Sequence, residues 1–275
     1  MMTTKTKGEP RPLAEADLSS VQAVFTDVDG TLTSGGKLES TTIRALEELS
    51  EAGLRVVLVS GRPAGWGECW ARNLPVDGVI VENGGLYFAR DPKDPRGEKA
   101  PLRKVYAQSD EERAVTRPKL LREVARAMKK VPGARLSKDS AYTEVDVAID
   151  YNEEISLGSE AADALEQTLR ARGIQAVRSN VHVNCWIGEF DKLSMVREFI
   201  SREWKGSLRK RDARFVYAGD SFNDSPMFGA FSLSVGVANV RAVLDRIDHP
   251  PAFITRAAEG KGFRELTRAV LKARR

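Results

Sequence analysis

Short apolar runs separated by amphipathic stretches of helix length occupy both ends of the chain. "VQAVFTD" (21–27) reads as a strand, and after a turn "TTIRALEELSEAG" (41–53) sets Ile43, Leu46 and Leu49 at helical spacing, with Gly53 where a C-terminal cap belongs. "LRVVLVS" (54–60) is β-branched and continuously apolar, as a strand covered on both faces must be, and a turn and a helix-length stretch lead on to "GVIVENGG" (78–85). The rhythm returns after residue 190. "DKLSMVREFISREW" (191–204) predicts a helix with Leu193, Val196, Phe199 and Ile200 inward; "RFVYAGD" (214–220) predicts a strand and "DSPMFGAF" (224–231) the start of another helix. "SLSVGV" (232–237) and "AFIT" (252–255) add strands, and "FRELTRAVLKA" (263–273) closes with a helix. Apolar strands alternating with helices predict an α/β fold, a Rossmann-like parallel sheet covered on both faces.

The middle breaks the pattern. From about residue 88, "ARDPKDPRGEKAPLRK" (89–104) is rich in proline and charge and reads as a surface excursion. A helix ("RPKLLREVARAMKK", 117–130), a strand ("TEVDVAIDY", 143–151), a second helix ("SEAADALEQTLRARG", 159–173) and two strands ("IQAVRS", 174–179, and "VHVNCWIG", 181–188) follow. This predicts a separate α+β module over 88–188, inserted into a core built from 20–87 and 189–275. Residues 1–19 are polar and proline-containing and read as a loose tail. No internal repeat is visible.

Composition narrows the possibilities modestly. A chain of 275 residues, 41% hydrophobic and 30% charged, can bury a real core. Its 43 basic and 39 acidic residues leave +4, which is no argument for a nucleic-acid partner. The densest basic run, "SREWKGSLRKRDAR" (201–214), has few aromatics interleaved for stacking and reads as a solvated helix end and loop. Cys69 and Cys185 stand far apart and in no metal-ligand spacing. No apolar run is long enough to span a bilayer and the start has no signal-peptide core, so the expectation is a cytoplasmic protein without a membrane partner. Oligomeric state is not encoded in any of these patterns.

The placement of the acids changes the picture. "VFTDVDGTLTSG" (24–35) sets Asp27 and Asp29 one residue apart where an apolar run stops. Like charges that close repel, and a carboxylate at a core edge loses hydration. One explanation is an acidic turn before Gly30; the other is a nucleophile and an acid–base group sharing a cation. Ser60 also ends a strand, Asp220 and Asp224 lie where "YAGDSFNDSPMF" (217–228) passes from strand to loop, and Lys192 opens a helix. Open α/β sheets bind ligands at the carboxyl ends of their strands, so these groups can converge. Four clustered carboxylates demand a cation, and an all-oxygen set favours magnesium, Mg2+. Ser60 has the alternative of capping a helix. Lys192 at a helix start opposes the dipole, which argues for an anion beside it.

This set resembles the haloacid dehalogenase-like superfamily of phosphotransferases. The matching pieces, in order, are "DVDGTLT", the strand-end serine of "VSGR", the lysine of "DK" and the final "GDSFND". The resemblance covers nearly the whole chain, because an insert between the second and third motifs is also a superfamily feature. An α+β insert preceded by "ENGG" (82–85) looks like the subclass with a type IIB cap, which includes trehalose-phosphate, sucrose-phosphate and mannosyl-3-phosphoglycerate phosphatases and the phosphomannomutases. The resemblance implies an Mg2+-dependent phosphatase acting on a small phosphorylated metabolite, a sugar phosphate or phosphoglycerate-type ester, through an aspartyl phosphate. It implies Asp27 as nucleophile and Asp29 as general acid and base. The implied metal shell is the Asp27 carboxylate, the Asp29 backbone carbonyl and Asp220, with Asp224 holding a metal-bound water or the loop and Asn223 orienting it. Ser60 and Lys192 would meet the phosphoryl oxygens. Gly61, Arg62, Asn83 and Gly84 adjoin these motifs as candidate substrate contacts; Arg62 is open to two roles, a substrate contact or a surface arginine. The alternatives are a phosphomutase with the same intermediate and a catalytically idle binding module. "SGR" at 60–62 tilts against the first, and the intact acid set against the second.

One strand of the insert alternates. In "RSNVHVNCWIG" (178–188), Val181, Val183 and Cys185 fall on one face, and Asn180, His182, Asn184 and Trp186 on the other. A lone histidine is usually structural, yet this one shares its face with two amides and an indole. If helices cover the apolar face, His182 and Asn184 become candidate substrate contacts.

Overall fold

A computed structural model describes residues 9–91, 93–95, 97–179 and 181–274. The chain divides into two compact units, one from 1–58, 74–77 and 205–275, the other from 59–73 and 78–204.

The first unit carries parallel strands in the order Arg11–Pro12, Phe253–Ile254, Leu233–Gly236, Phe215–Gly219, Ala23–Thr26 and Arg55–Val59. Ala23–Thr26 is buried throughout, and Val24 stands in register with Val216 on one side and Val56 on the other. Such a strand has no solvent face, which is why its sequence is apolar rather than alternating. Phe25 meets Phe215 and Phe231 edge-on, at centroid distances of 6.0 and 5.6 Å. The helices Ser40–Glu51 and Glu259–Ala273 pack together. Ser40–Glu51 buries Thr42, Ala45, Leu46 and Leu49, and Gly53 follows its end at φ +74°, the left-handed geometry expected of a C-terminal stop.

The expected loose tail differs over its described part. Arg11–Pro12 forms an edge strand on Phe253–Ile254, and Leu13 and Leu18 are buried. Two leucines gain about 1.5–3 kcal/mol each from burial, enough to dock a segment that is otherwise polar. Pro12 is tolerated because an edge strand can spare one N–H. Residues 1–8 lie outside the described residues.

The second unit has two antiparallel sheets. Gly78–Val81, Leu86–Ala89 and Arg103–Tyr106 form a meander, packed by the helices Ala64–Asn73 and Lys192–Trp204. The last two strands fall in and beside the expected surface excursion. Arg103 and Lys104 are exposed on the outermost strand, where charge discourages further pairing, so its sequence reads as loop. The other sheet runs Arg135–Leu136, Val147–Asp150, His182–Trp186 and Gln175–Arg178. The helices Asp110–Met128 and Gly158–Arg170 supply Leu120, Val124, Leu165 and Leu169 to a core with Val147, Ile149, Val183 and Cys185. Val183 and Cys185 therefore face helices, as the alternation requires. Val181 precedes the strand, and Asn180 lies outside the described residues. Asp110–Met128 starts seven residues earlier than the sequence suggests, behind a capping box in which Ser109 and Glu112 satisfy each other's backbone N–H groups. Pro118, which favours a first turn, sits inside this helix and displaced the expected start. Among the described residues, no helix is long and apolar enough to cross a membrane.

Candidate active site

The acidic motifs meet in the first unit. Asp27 follows Ala23–Thr26, and its N–H donates to the Ala218 carbonyl (2.8 Å). Asp220 follows the neighbouring strand Phe215–Gly219. Asp27, Asp220 and Asp224 are 4%, 2% and 0% exposed, and one carboxylate oxygen of each lies within 4.8 Å of the others. Three buried carboxylates this close are a hard, all-oxygen donor set that a divalent cation neutralises, so the residues fit the metal their motifs imply. Asp29 is partly buried and is not one of the three.

Each acid is fixed by its own contacts. Asp220 accepts from the Thr31 hydroxyl (Oδ1, 3.0 Å) and from the Asn239 amide (Oδ2, 2.8 Å), and Asn239 also donates to the Gly30 carbonyl (3.0 Å). Gly30 sits at φ +81°, and a Cβ there would stand 2.6 Å from Asp220 Oδ2, so glycine is required on both counts. Asp224 Oδ2 accepts from the N–H groups of Asp220 (2.9 Å) and Ser221 (3.0 Å), and Oδ1 accepts from the Tyr217 hydroxyl (2.5 Å). Burial, then the Asp224 charge, push the Tyr217 phenol well above its ordinary value, so it stays a donor. Asp224 thus braces the loop that presents Asp220. Asn223 belongs to the same loop, its Oδ1 accepting from the Ser221 hydroxyl (2.7 Å). Thr31 sits inside the "DGTLT" motif, whereas Tyr217 reads as plain core and Asn239 arrives from a turn that carries no signal.

The second unit carries the remaining candidates. Ser60 is buried at the end of Arg55–Val59, with its N–H on the Ile80 carbonyl (2.9 Å) and its hydroxyl accepting from the Arg62 N–H (3.1 Å). It does not cap the helix that follows, because Ala64 N–H donates to Glu82 Oε1 instead (2.8 Å). A Cβ on Gly61 would lie 3.1 Å from Asn83 Oδ1 and 3.3 Å from Asn184 Nδ2, so the backbone here runs against two amides. Gly84, at φ +97°, is more constrained: its Cβ would fall 2.1 Å from the Asp191 carbonyl. The "ENGG" turn therefore backs directly onto the start of the Lys192 helix, where Asp191 Oδ1 accepts from Ser194 N–H (2.6 Å) and Lys192 is buried. That contact makes Gly84 a structural support for Lys192.

Three acids that sequence reasoning passed over organise this unit. Glu82 is buried and accepts four backbone N–H groups, from Ala64, Glu144, Val145 and Asp146. Asp146 Oδ2 accepts from Asn83 Nδ2 (3.1 Å); burial, then the Glu82 charge, hold its carboxyl well above the ordinary range. Glu153 meets both remaining candidates: its Oε1 lies 2.9 Å from Arg62 Nη2 and its Oε2 lies 2.8 Å from His182 Nε2. The His182 contact first, and then the Arg62 charge, hold Glu153 down at about 2 against partial burial. Arg62 also stands 3.6 Å from Asp139, so it is not a surface arginine. His182 and Asn184 are both buried, on the face opposite Val183 and Cys185. Trp186 points its Nε1–H to the Phe190 carbonyl (2.8 Å) and stacks on the Phe190 ring, a packing role.

The family model for haloacid dehalogenase-like hydrolases matches residues 24–108, the stretch holding "DVDGT", "VSGR" and "ENGG". That segment is similar to haloacid dehalogenase-like hydrolases. The match agrees with the resemblance drawn from the motifs. Over 253 residues, 90% of this chain and 96% of its relative, the sequence is 26% identical to a phosphoglycolate phosphatase of Haloarcula marismortui. Among solved structures, Thermoplasma acidophilum 0175 shares the fold at TM-score 0.67 with 19% identity, covering 91% of this chain and 98% of that one. A sucrose-phosphatase from Synechocystis sp. PCC6803 shares it at TM-score 0.59 with 14% identity, covering 91% and 98%.

Proposed function

We propose that this hydrolase is a magnesium-dependent phosphatase that cleaves the phosphate monoester of a small metabolite through an aspartyl phosphate. The buried triad of Asp27, Asp220 and Asp224 carries the reading: acids so close are poorly explained without a cation, and their motif spacing is that of phosphoryl-transfer enzymes. Asp27 and Asp220, with the Asp29 carbonyl, would hold Mg2+, which supplies charge neutralisation between an anionic nucleophile and an anionic phosphate. Asp224 supports that set by bracing its loop, with Asn223 beside it.

A carboxylate oxygen of Asp27 attacks phosphorus, and the ester oxygen leaves with a proton from Asp29. Asp29, now a base, takes a proton from water; the resulting hydroxide attacks the aspartyl phosphate, releasing inorganic phosphate and restoring Asp27. Ser60 and Lys192 are assigned to the phosphoryl oxygens, on the strength of their burial and their places at a strand end and a helix start. In this reading 88–188 acts as the cap that selects the leaving group. The name of the Haloarcula relative favours a short phosphorylated acid over a sugar phosphate.

The experiment is phosphate release across phosphorylated acids, sugars and nucleotides, with magnesium and with chelator. Asp27→Asn is expected to abolish turnover in a folded protein, and chelator to silence the wild type until magnesium is restored. Full activity in chelator would remove the metal from the mechanism, and turnover by Asp27→Asn within a few-fold of wild type would remove the covalent step.

A further inference from the structure

Hydrolysis assigns no task to the Glu153 cluster. Both oxygens of one carboxylate are engaged by two nitrogens from different elements: Arg62 from the loop after Ser60, and His182 from the strand His182–Trp186. His182 is 5% exposed, whereas the Glu153 side chain is 31% exposed, so the acid is the accessible member. Glu153 sits in an irregular loop, tied by its own N–H and that of Glu154 to the Asp150 carboxylate (2.9 and 3.2 Å). Its side chain can therefore move while the loop stays anchored. Beside His182 on the same face is Asn184, buried, whose Oδ1 has no hydrogen-bond partner among the described residues. A buried amide oxygen in that state is costly unless something comes to meet it.

We propose that Arg62 and His182 form a binding site for a substrate carboxylate, and that Glu153 is its internal placeholder, displaced when a phosphorylated acid binds. The proposal rests on the phosphatase reading and names its substrate class. A carboxylate already sits 2.9 Å from the Arg62 guanidinium, whose fork suits it, and 2.8 Å from His182 Nε2, which makes no aligned hydrogen bond there and so has one to give an incoming acid. Asp139 remains near Arg62 when Glu153 leaves, holding the fork in place; it is itself fixed by the Trp66 indole N–H (3.0 Å). A hydroxyl or acid group on the same substrate would satisfy Asn184.

Ser60, assigned to the phosphoryl group, stands two residues from Arg62, whose N–H donates to its hydroxyl oxygen (3.1 Å), so a single loop would meet both ends of the substrate. A placeholder lowers apparent affinity by the fraction of time it occupies the site. It also discriminates, because a neutral ester gains nothing from the site and cannot displace it.

The test compares 2-phosphoglycolate and 3-phosphoglycerate with glycerol phosphate, which lacks the carboxylate, on the wild type, Glu153→Gln, Glu153→Asp, Arg62→Gln and His182→Gln. Glu153→Gln should lower KM for the acids by about tenfold, with little change in kcat or in KM for glycerol phosphate. Glu153→Asp, which keeps the charge but retracts it by one methylene, should fall between wild type and Glu153→Gln. Arg62→Gln and His182→Gln should each cut the acid-to-neutral ratio of kcat/KM at least about tenfold. The idea is overturned if no variant moves that ratio, or if Glu153→Gln loses the acids as Arg62→Gln does, since Glu153 would then be a structural brace. Hydrolysis of no ester at all would remove the phosphatase reading alone. Calorimetric titration with 2-phosphoglycolate then decides the site: binding tightened by Glu153→Gln supports it, and binding indifferent to Glu153 and Arg62 overturns it.

Discussion

Asp224 shows how much of the candidate site depends on single contacts. Its oxygens accept from the N–H groups of Asp220 and Ser221, from the Ser221 hydroxyl and from the Tyr217 hydroxyl, of which the last comes from the core. Tyr217→Phe leaves a buried carboxylate oxygen short of a donor, so it should destabilise the first unit by about 1–3 kcal/mol and loosen Asp220 with it. Urea midpoints and kcat/KM, measured together, check both parts; unchanged values in the two would mean that Asp224 does not depend on the phenol. Gly30→Ala combines an unfavourable φ with a Cβ 2.6 Å from Asp220 Oδ2, and should displace Asp220 and lower kcat/KM more than tenfold. Asp146 gives a pH prediction. Its folded pKa is raised, so its contribution to stability is full below the unfolded value near 4 and is lost as pH rises through the folded value. Asp146→Asn, whose amide oxygen can still accept from Asn83, should flatten the fall in urea midpoint as pH rises above the unfolded value. Glu153 runs the other way: depressed to about 2, it supports the fold above the unfolded value near 4.5 and loses that support only as pH falls toward 2.

At the scale of elements, Gly84 matters more than its motif suggests. Its backbone lies against Asp191, and any side chain there pushes on the turn that opens the Lys192 helix. Gly84→Ala should therefore lower kcat for every ester tested, without the acid-to-neutral discrimination expected of the Glu153 cluster. A change confined to KM for the acids would contradict that assignment. The same scale shows what was legible in the sequence. The central strands and the motifs at their ends could be read because buried parallel strands are apolar throughout and the acids interrupt them. The strand Arg103–Tyr106 could not, because an edge strand is protected by the charges that disguise it. The start of Asp110–Met128 was hidden by Pro118. Glu82, Asp146 and Glu153 gave no signal because their partners are backbone N–H groups and distant side chains, which spacing along a chain does not reveal.

For the whole molecule, the sequence conveyed an α/β fold whose acids share one unit, and the geometry added what each acid leans on. The division of the chain has a further consequence, for the order of assembly during synthesis. The first unit is stitched from three stretches, and its central strand Ala23–Thr26 pairs with Phe215–Gly219, almost two hundred positions downstream. Until residues 205–275 emerge from the ribosome, that strand has no partner on one side, and Asp27 stands without Asp220. At ordinary translation rates that stretch takes roughly 4–14 s to appear. The second unit, continuous from Gly78 to Trp204 apart from its first helix and the Ser60 loop, can collapse in the meantime. Pulse-labelled hydrogen exchange on stalled chains ending near residue 230 should find amides of Val147–Asp150 and His182–Trp186 protected while those of Ala23–Thr26 still exchange. Such a nascent chain could already hold a carboxylate while having no means of cleaving its ester.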